Sequence, residues 1–116
     1  MKTRTKILIA AMLSRAVRGL RRLLGAGRVG EFDRGGFRWR LDLGEGIDFS
    51  IYLLGSFEPI TLGACRRLIN PGDTVLDIGA NIGALTLPMA RMTGEAGKVY
   101  AFEPTAYAFE KLRANL

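Results

Sequence analysis

The sequence predicts an α/β protein whose C-terminal part contains two parallel strands joined by a helix. A continuous apolar strand at residues 75–78 runs directly into a turn with two glycines, residues 79–83, and a helical run of apolar residues follows. A second strand, at residues 98–102, ends in Glu103, and another helix follows it. This order predicts a right-handed βαβ crossover over residues 74–116, and ligands bind at the carboxyl ends of such strands.

The residues of the turn predict that a cofactor approaches the backbone there. Gly79 and Gly83 allow unusual backbone angles and leave no Cβ in the way of a ligand. Asn81 stands where a dinucleotide-binding turn has its second glycine, and asparagine tolerates a left-handed conformation and caps helices. Glu103 follows Gly83 by twenty residues, at the position where a carboxylate accepts hydrogen bonds from both ribose hydroxyls. Together they predict half of a pocket for a nucleoside cofactor.

Asp77, the acid just before the turn, distinguishes between two cofactor classes. A carboxylate is poorly placed against the pyrophosphate of NAD, but it suits the sulfonium or the α-amino group of S-adenosylmethionine. The turn also lacks a full GxGxxG pattern. These features favour S-adenosylmethionine, with an NAD-dependent oxidoreductase as the second enzyme candidate. A structural interpretation stays open, in which Asp77 and Asn81 tie the turn together by hydrogen bonds to backbone amides.

Composition excludes several kinds of chemistry. The 116 residues are 48% hydrophobic and 24% charged, which is typical of a globular protein. The chain has no histidine, which excludes His-based triads, general bases and metal sites from it. Its single cysteine, Cys65, allows neither an internal disulfide nor a CxxC motif. We expect Cys65 to be a small buried hydrophobe, and a reducing cytoplasm as the location.

Positive charge is concentrated near the N-terminus. Residues 1–40 carry eleven Lys or Arg against two acids, whereas residues 41–116 carry six against nine. A basic segment favours phosphates of nucleic acid or of anionic lipid. The mildly acidic remainder argues against a dedicated nucleic-acid-binding protein.

Residues 1–24 have the pattern of a basic amphipathic helix, in which apolar residues recur at three- and four-residue steps and arginines share another face. The apolar positions are Ile9, Leu13, Ala16, Leu20 and Leu24, and the arginines are Arg15, Arg18 and Arg22. We favour a helix that packs on its own domain over one that lies on an anionic membrane or a partner. The apolar run is too short, and the residues after it too basic, for a signal peptide. Glycines then predict a loop, so that residues 1–36 form a helix and loop outside the main domain.

Between this segment and the parallel strands, the sequence predicts a β-hairpin and a helix. Apolar and polar residues alternate in two runs on either side of a glycine-containing turn, which predicts a hairpin over residues 37–54. A helix is expected over residues 60–68, with Leu62, Cys65 and Leu68 turned inward. Pro88 falls inside the helix predicted after the glycine turn, where we expect a lost hydrogen bond or a kink.

The sequence VLDIGANIG at residues 75–83, with VYAFEP at residues 99–104, resembles the FkbM-type family of class I methyltransferases. The lead-in at residues 55–59 and 71–73 is also similar, so the resemblance covers residues 37–116. It implies a Rossmann-like domain that transfers a methyl group from S-adenosylmethionine to a hydroxyl of a sugar or natural-product scaffold. The expected partner is thus a small-molecule acceptor, with no nucleic acid.

The resemblance also implies roles for individual residues. Residues of the turn would line the methionine side of the cofactor, and Glu103 would hold the ribose. The implied cofactor-binding set is Asp77, Gly79, Ala80, Asn81, Gly83, Glu103 and Pro104. Glu58 is a further candidate, for the pocket rim, and its alternative role is to cap the helix after Pro59. The resemblance identifies no catalytic residue and no metal ligand.

The later strands of the family, which close the pocket and contact the acceptor, do not occur in the 116 residues. We therefore interpret the chain as the N-terminal portion of a larger, truncated fold. Two uncovered parallel strands are expected to make it unstable or prone to aggregation. The alternative to an enzyme is a non-catalytic stub that contacts a membrane or a partner through residues 1–24.

Overall fold

A computed structural model describes residues 3–116, and the strands among these residues form two small sheets. In chain order the elements are α1 (Thr3–Leu23), β1 (Val29–Arg34), β2 (Phe37–Asp42), α2 (Gly46–Leu54), α3 (Pro59–Leu68), β3 (Thr74–Ile78), α4 (Thr86–Thr93), β4 (Lys98–Phe102) and α5 (Ala106–Asn115). β1 pairs antiparallel with β2, and β3 pairs parallel with β4. The prediction of a mixed α/β fold with an N-terminal helix is confirmed.

The predicted hairpin over residues 37–54 is wrong in its second half. β2 pairs with β1, which lies in the predicted loop, and the residues after the next turn form α2. The alternation there also fits a helix, because Ile47 and Ile51 are four residues apart and lie on one helical face. α2 ends at Gly55, whose φ of 75° is a left-handed value that favours glycine.

The core lies between the antiparallel sheet, α2 and the turn after β3. Alternate side chains of β2 point inward, and two side chains of α2 cover them. The buried cluster comprises Trp39, Leu41, Leu43, Phe49, Ile51, Ile82 and Ala84. Because Ile82 and Ala84 belong to the segment between β3 and α4, the core supports that segment directly.

Among the described residues, a helix covers only one face of the parallel pair. α4 packs against both β3 and β4 on that face. The opposite face presents Leu76, Ile78, Tyr100 and Phe102, and the exposed fraction of Ile78 is 78%. Parallel α/β sheets normally have helices on both faces. The pair therefore exposes an apolar surface.

Two helices differ in detail from the prediction. α4 begins at Thr86, so Pro88 lies in its first turn, where a backbone N–H would have no intrahelical partner. The expected kink or lost hydrogen bond is therefore wrong. In α3, Leu62 is buried as predicted, but Cys65 is only half-buried and Leu68 is exposed.

α1 contacts the domain through Ser14 and Val17 rather than through its apolar positions. The Ser14 hydroxyl donates a hydrogen bond to the carbonyl of Leu43 at 2.7 Å, and Val17 packs against the core. The predicted packing of the apolar stripe on the domain is wrong, because Leu13 and Leu20 lie on the far side of the helix and are exposed. Within residues 3–116, no helix combines the length and the apolar character that crossing a membrane requires.

Candidate functional site

The turn after β3 has the backbone shape that its residues predict. Gly79, Asn81 and Gly83 have φ values of 84°, 49° and 92°, all in the left-handed region. The N–H groups of Gly79 and Ala80 donate to the carbonyl of Phe102 at 2.8 and 3.0 Å. The turn is therefore bound to the carboxyl end of β4.

The two glycines of the turn have different surroundings. A Cβ on Gly79 would meet nothing within 4 Å, whereas a Cβ on Gly83 would lie 2.8 Å from Cδ1 of Leu87 and 3.0 Å from Cδ1 of Leu112. Gly83 thus leaves room for the side chains of Leu87 in α4 and Leu112 in α5. Gly79 leaves the backbone open on the side from which a ligand would come.

Glu103 is held in position by three hydrogen-bond donors, one from the turn and two from Thr105. Its Oε2 accepts the backbone N–H of Asn81 at 2.9 Å, and its Oε1 accepts the backbone N–H and the hydroxyl of Thr105 at 2.9 and 2.6 Å. The hydroxyl of Thr105 contributes most to lowering the pKa of Glu103 below its usual 4.5. An ionised carboxylate therefore stands at the end of β4, in contact with the glycine turn.

Asp77 joins β3 to α4 behind the turn. Its side chain is buried, and its Oδ2 accepts a hydrogen bond from the hydroxyl of Thr86 at 2.5 Å. This contact supports the structural interpretation of Asp77, although the donor is a side-chain hydroxyl and not a backbone amide. Asp77 thus contributes to the shape of the turn whether or not it also contacts a ligand.

Asn115 is a residue of the site that the sequence analysis missed. Its Nδ2 donates to the carbonyl of Ile82 at 2.9 Å, and its Oδ1 accepts the backbone N–H of Arg40 at 2.8 Å. The side chain is buried and connects the turn to β2 from the end of α5. An asparagine near a helix end gives no local signal of such a role, because both partners are distant in sequence.

The two remaining candidates lie at the surface. Glu58 precedes α3 with a φ of 51°, and its carboxylate accepts a hydrogen bond from the hydroxyl of Thr61 at 3.1 Å without capping a backbone N–H. Pro104 is exposed. The structure therefore brings Asn81 and Glu103 into contact, whereas the hydrogen bond of Glu58 remains within its own helix.

Comparison with curated proteins points to one family. The chain is 47% identical over 47 residues to the 31-O-demethyl-FK506 methyltransferase FkbM of Streptomyces tacrolimicus, and the match spans 40% of the chain and 18% of that protein. The resemblance to FkbM-type methyltransferases is confirmed. No family model matches the chain.

A solved structure shares the fold of the chain. The crystal structure of a candidate transferase from Pyrococcus horikoshii matches 88% of the chain with a TM-score of 0.57 and 24% identity, and the match spans 41% of that protein. This similarity concerns the fold alone. The chain covers less than half of the length of either relative.

Proposed function

We propose that residues 74–105 form half of an S-adenosylmethionine site in a methyltransferase that acts on a small-molecule hydroxyl group. The contact between Glu103, at the end of β4, and the N–H of Asn81, in the turn after β3, carries the proposal. Nucleoside cofactors bind at this edge of parallel sheets, with a carboxylate on the ribose. The match to the FkbM methyltransferase supports methyl transfer as the chemistry.

Glu103 holds the ribose in this proposal. A carboxylate has about four positions for accepting hydrogen bonds, of which Asn81 and Thr105 occupy three. Oε2 accepts one bond and keeps the capacity to accept one ribose hydroxyl, rather than both as the sequence analysis expected. Because Glu103 is already held in position, its side chain loses little rotational freedom when the cofactor binds.

The turn receives the methionine part of the cofactor. The open side of Gly79 allows close approach to the backbone, and Asp77 supplies negative charge that favours a sulfonium or an ammonium group. When bound, S-adenosylmethionine supplies an electrophilic methyl group. Gly83 and Ala80 act by shaping the backbone of the turn. Neither needs a side-chain contact with the cofactor.

The acceptor is proposed from the family resemblance. It is a hydroxyl of a sugar or natural-product scaffold, and Glu58 is proposed for the rim of the pocket, whereas Pro104 belongs to the proposed cofactor-binding set. The rate enhancement then comes mainly from holding the acceptor oxygen in line with the methyl group.

Calorimetric titration with S-adenosylhomocysteine tests the cofactor site. The folded 116-residue chain is titrated with this ligand and, separately, with NAD. Glu103→Gln removes the negative charge of Glu103 and keeps the size of its side chain. Glu95→Gln is the matched control, because Glu95 is an exposed carboxylate outside the site.

We expect S-adenosylhomocysteine to bind and NAD not to bind. Hydrogen bonds to charged groups contribute about 1.5–3 kcal/mol, so Glu103→Gln should weaken binding at least tenfold. Glu95→Gln should bind as the wild type does. Binding that both variants retain, or binding of NAD alone, would contradict the proposal.

A further inference from the structure

One face of α1 is apolar and exposed. Ser14 and Val17 turn toward the domain, and the residues on the opposite side form an outward stripe. The exposed apolar residues of the stripe are Leu8, Ile9, Met12, Leu13, Leu20 and Leu23. Met12 is 70% exposed and Leu23 is 85% exposed, so this stripe does not stabilise the domain by packing on it.

Four arginines line a groove beside this stripe. The groove has a volume of about 560 Å³ and lies where α1 meets the following loop. Its charged residues are Arg15, Arg18, Arg22 and Arg28. Arg28 pairs with Asp42 at 2.7 Å, and the Nε of Arg18 donates to a backbone carbonyl of its own helix at 3.2 Å. Arg15 and Arg22 are exposed two turns apart on α1.

Arg21 is not part of this surface. Its guanidinium lies 4.9 Å from the ring centroid of Phe32 and donates to the carbonyl of Gly27 at 3.2 Å. It therefore helps to fasten α1 to the domain, and the outward arginines differ from it in both position and role.

The charge of the segment identifies the partner. Residues 1–24 contain seven Lys or Arg and no acid. We propose that α1 lies on an anionic phospholipid surface, with the arginine groove on lipid phosphates and the apolar stripe at the acyl boundary. Basic amphipathic helices bind membranes in this orientation, with their apolar face buried about 5–10 Å deep. A nucleic acid would match the arginines but would not use the apolar stripe.

Sedimentation with vesicles tests whether α1 binds an anionic phospholipid surface. The 116-residue chain is mixed with vesicles of phosphatidylcholine alone, or of phosphatidylcholine with phosphatidylglycerol. We expect binding to the anionic vesicles and little to the neutral ones, and weaker binding at high salt. Equal binding to both kinds of vesicle, or none to the anionic ones, would overturn the proposal.

A double variant of the groove tests the arginines. Arg15→Gln with Arg22→Gln should weaken binding to anionic vesicles about thirtyfold, since each cation near such a surface contributes about a fivefold increase in affinity. Arg66→Gln with Arg67→Gln makes the same change in charge on exposed positions of α3. An equal loss of binding in this control would show a general effect of net charge and overturn the proposal.

A second pair of variants separates a membrane from free phosphate. Met12→Ser with Leu20→Ser should also weaken vesicle binding, whereas Ile60→Ser with Leu68→Ser, on exposed positions of α3, should not. If the serine substitutions in α1 leave binding unchanged, the groove recognises phosphate alone and the docking proposal fails. Circular dichroism confirms that every variant is folded. These results do not depend on the cofactor site, because no cofactor is added to the vesicle mixtures.

Discussion

At the scale of single residues, Thr105 determines how firmly Glu103 is held. Thr105 supplies two of the three donors to the carboxylate, and its hydroxyl makes the shorter contact, at 2.6 Å. Thr105 is also the residue before α5, but its side chain does not cap that helix. A change that removes the hydroxyl therefore acts on Glu103 and leaves the helix start intact.

We expect Thr105→Ala to raise the pKa of Glu103 toward 4.5, because the hydroxyl of Thr105 is the largest cause of the lowered value. A carboxyl ¹³C NMR titration measures this shift. In the wild type, the folded-state pKa lies below the unfolded-state value, so the stabilisation from ionised Glu103 is complete above pH 4.5 and is lost as the pH falls through the folded-state pKa. Thr61→Ala, which removes the donor to Glu58, is the control and should leave the Glu103 titration unchanged.

At the scale of elements, the glycine turn is crowded at Gly83 by one leucine side chain from α4, Leu87, and one from α5, Leu112. Both neighbouring contacts are ends of leucine side chains, which can shift, but the φ of 92° opposes any residue with a Cβ. Strain and crowding therefore add at this position.

Gly83→Ala should lower the free energy of unfolding by about 2–3 kcal/mol. Urea denaturation measures the change. Gly63→Ala is the matched control, since Gly63 lies within α3 and its added Cβ would meet nothing within 4 Å. That control should stabilise the chain by about 0.5–1 kcal/mol. Equal effects of the two substitutions would show that Gly83 is not under strain.

Sequence signals predicted α1 and the elements around the turn, but not β1 or α2. The turn and its strands have local signals, namely glycines and apolar strands that end in charged residues. α2 was missed because Phe49 and Ile51 satisfy a strand period while the segment also satisfies a helical one. The large apolar residues of β1 are Val29 and Phe32, which do not alternate with polar residues, so the strand pattern is weak. The outward face of α1 could not be predicted, since the pattern does not say which face meets the domain.

Only part of the candidate site was predictable from the sequence. The position of Glu103 beside the glycine turn follows from the geometry of parallel strands, but its hydrogen bond with the N–H of Asn81 was not predicted. The roles of Thr86 and Asn115 depend on tertiary contacts between remote residues, which no local pattern encodes.

At the scale of the whole molecule, a buried ion pair connects the N-terminal part of the fold to its last helix. Asp48 of α2 is 1% exposed, and both of its carboxylate oxygens accept hydrogen bonds from Lys111 of α5, at 2.7 and 2.8 Å. The same carboxylate accepts the backbone N–H of Asp42 at 2.7 Å. Loss of the cation would leave a buried charge without its counter-ion.

Lys111→Met should therefore cost about 3–5 kcal/mol of stability. Arg113→Met removes a cation from the same helix, but Arg113 pairs with Glu110 at the surface, where side chains of exposed pairs contribute at most about 1 kcal/mol. Thermal unfolding gives the melting temperature of each variant, and that of Lys111→Met should be the lower. Similar melting temperatures would mean that Asp48 is satisfied without Lys111.

The exposed apolar face of the parallel pair should make the 116-residue chain self-associate. Ile78→Thr with Phe102→Thr removes two large apolar groups from that face and should reduce light scattering at high protein concentration. Leu54→Thr with Leu68→Thr changes exposed apolar residues elsewhere and should have little effect. Scattering that falls equally in both variants would indicate non-specific association.

The hydrogen bond from Asn115 to Ile82 has a consequence for synthesis on the ribosome. The two residues are 33 positions apart, and a ribosome adding about 5–20 residues per second needs roughly 2–7 s to cover that distance. During this interval the glycine turn already exists as a nascent segment, but the amide that holds its carbonyl has not been made. The carbonyl of Ile82 therefore lacks this donor until the residues of α5 have been synthesised.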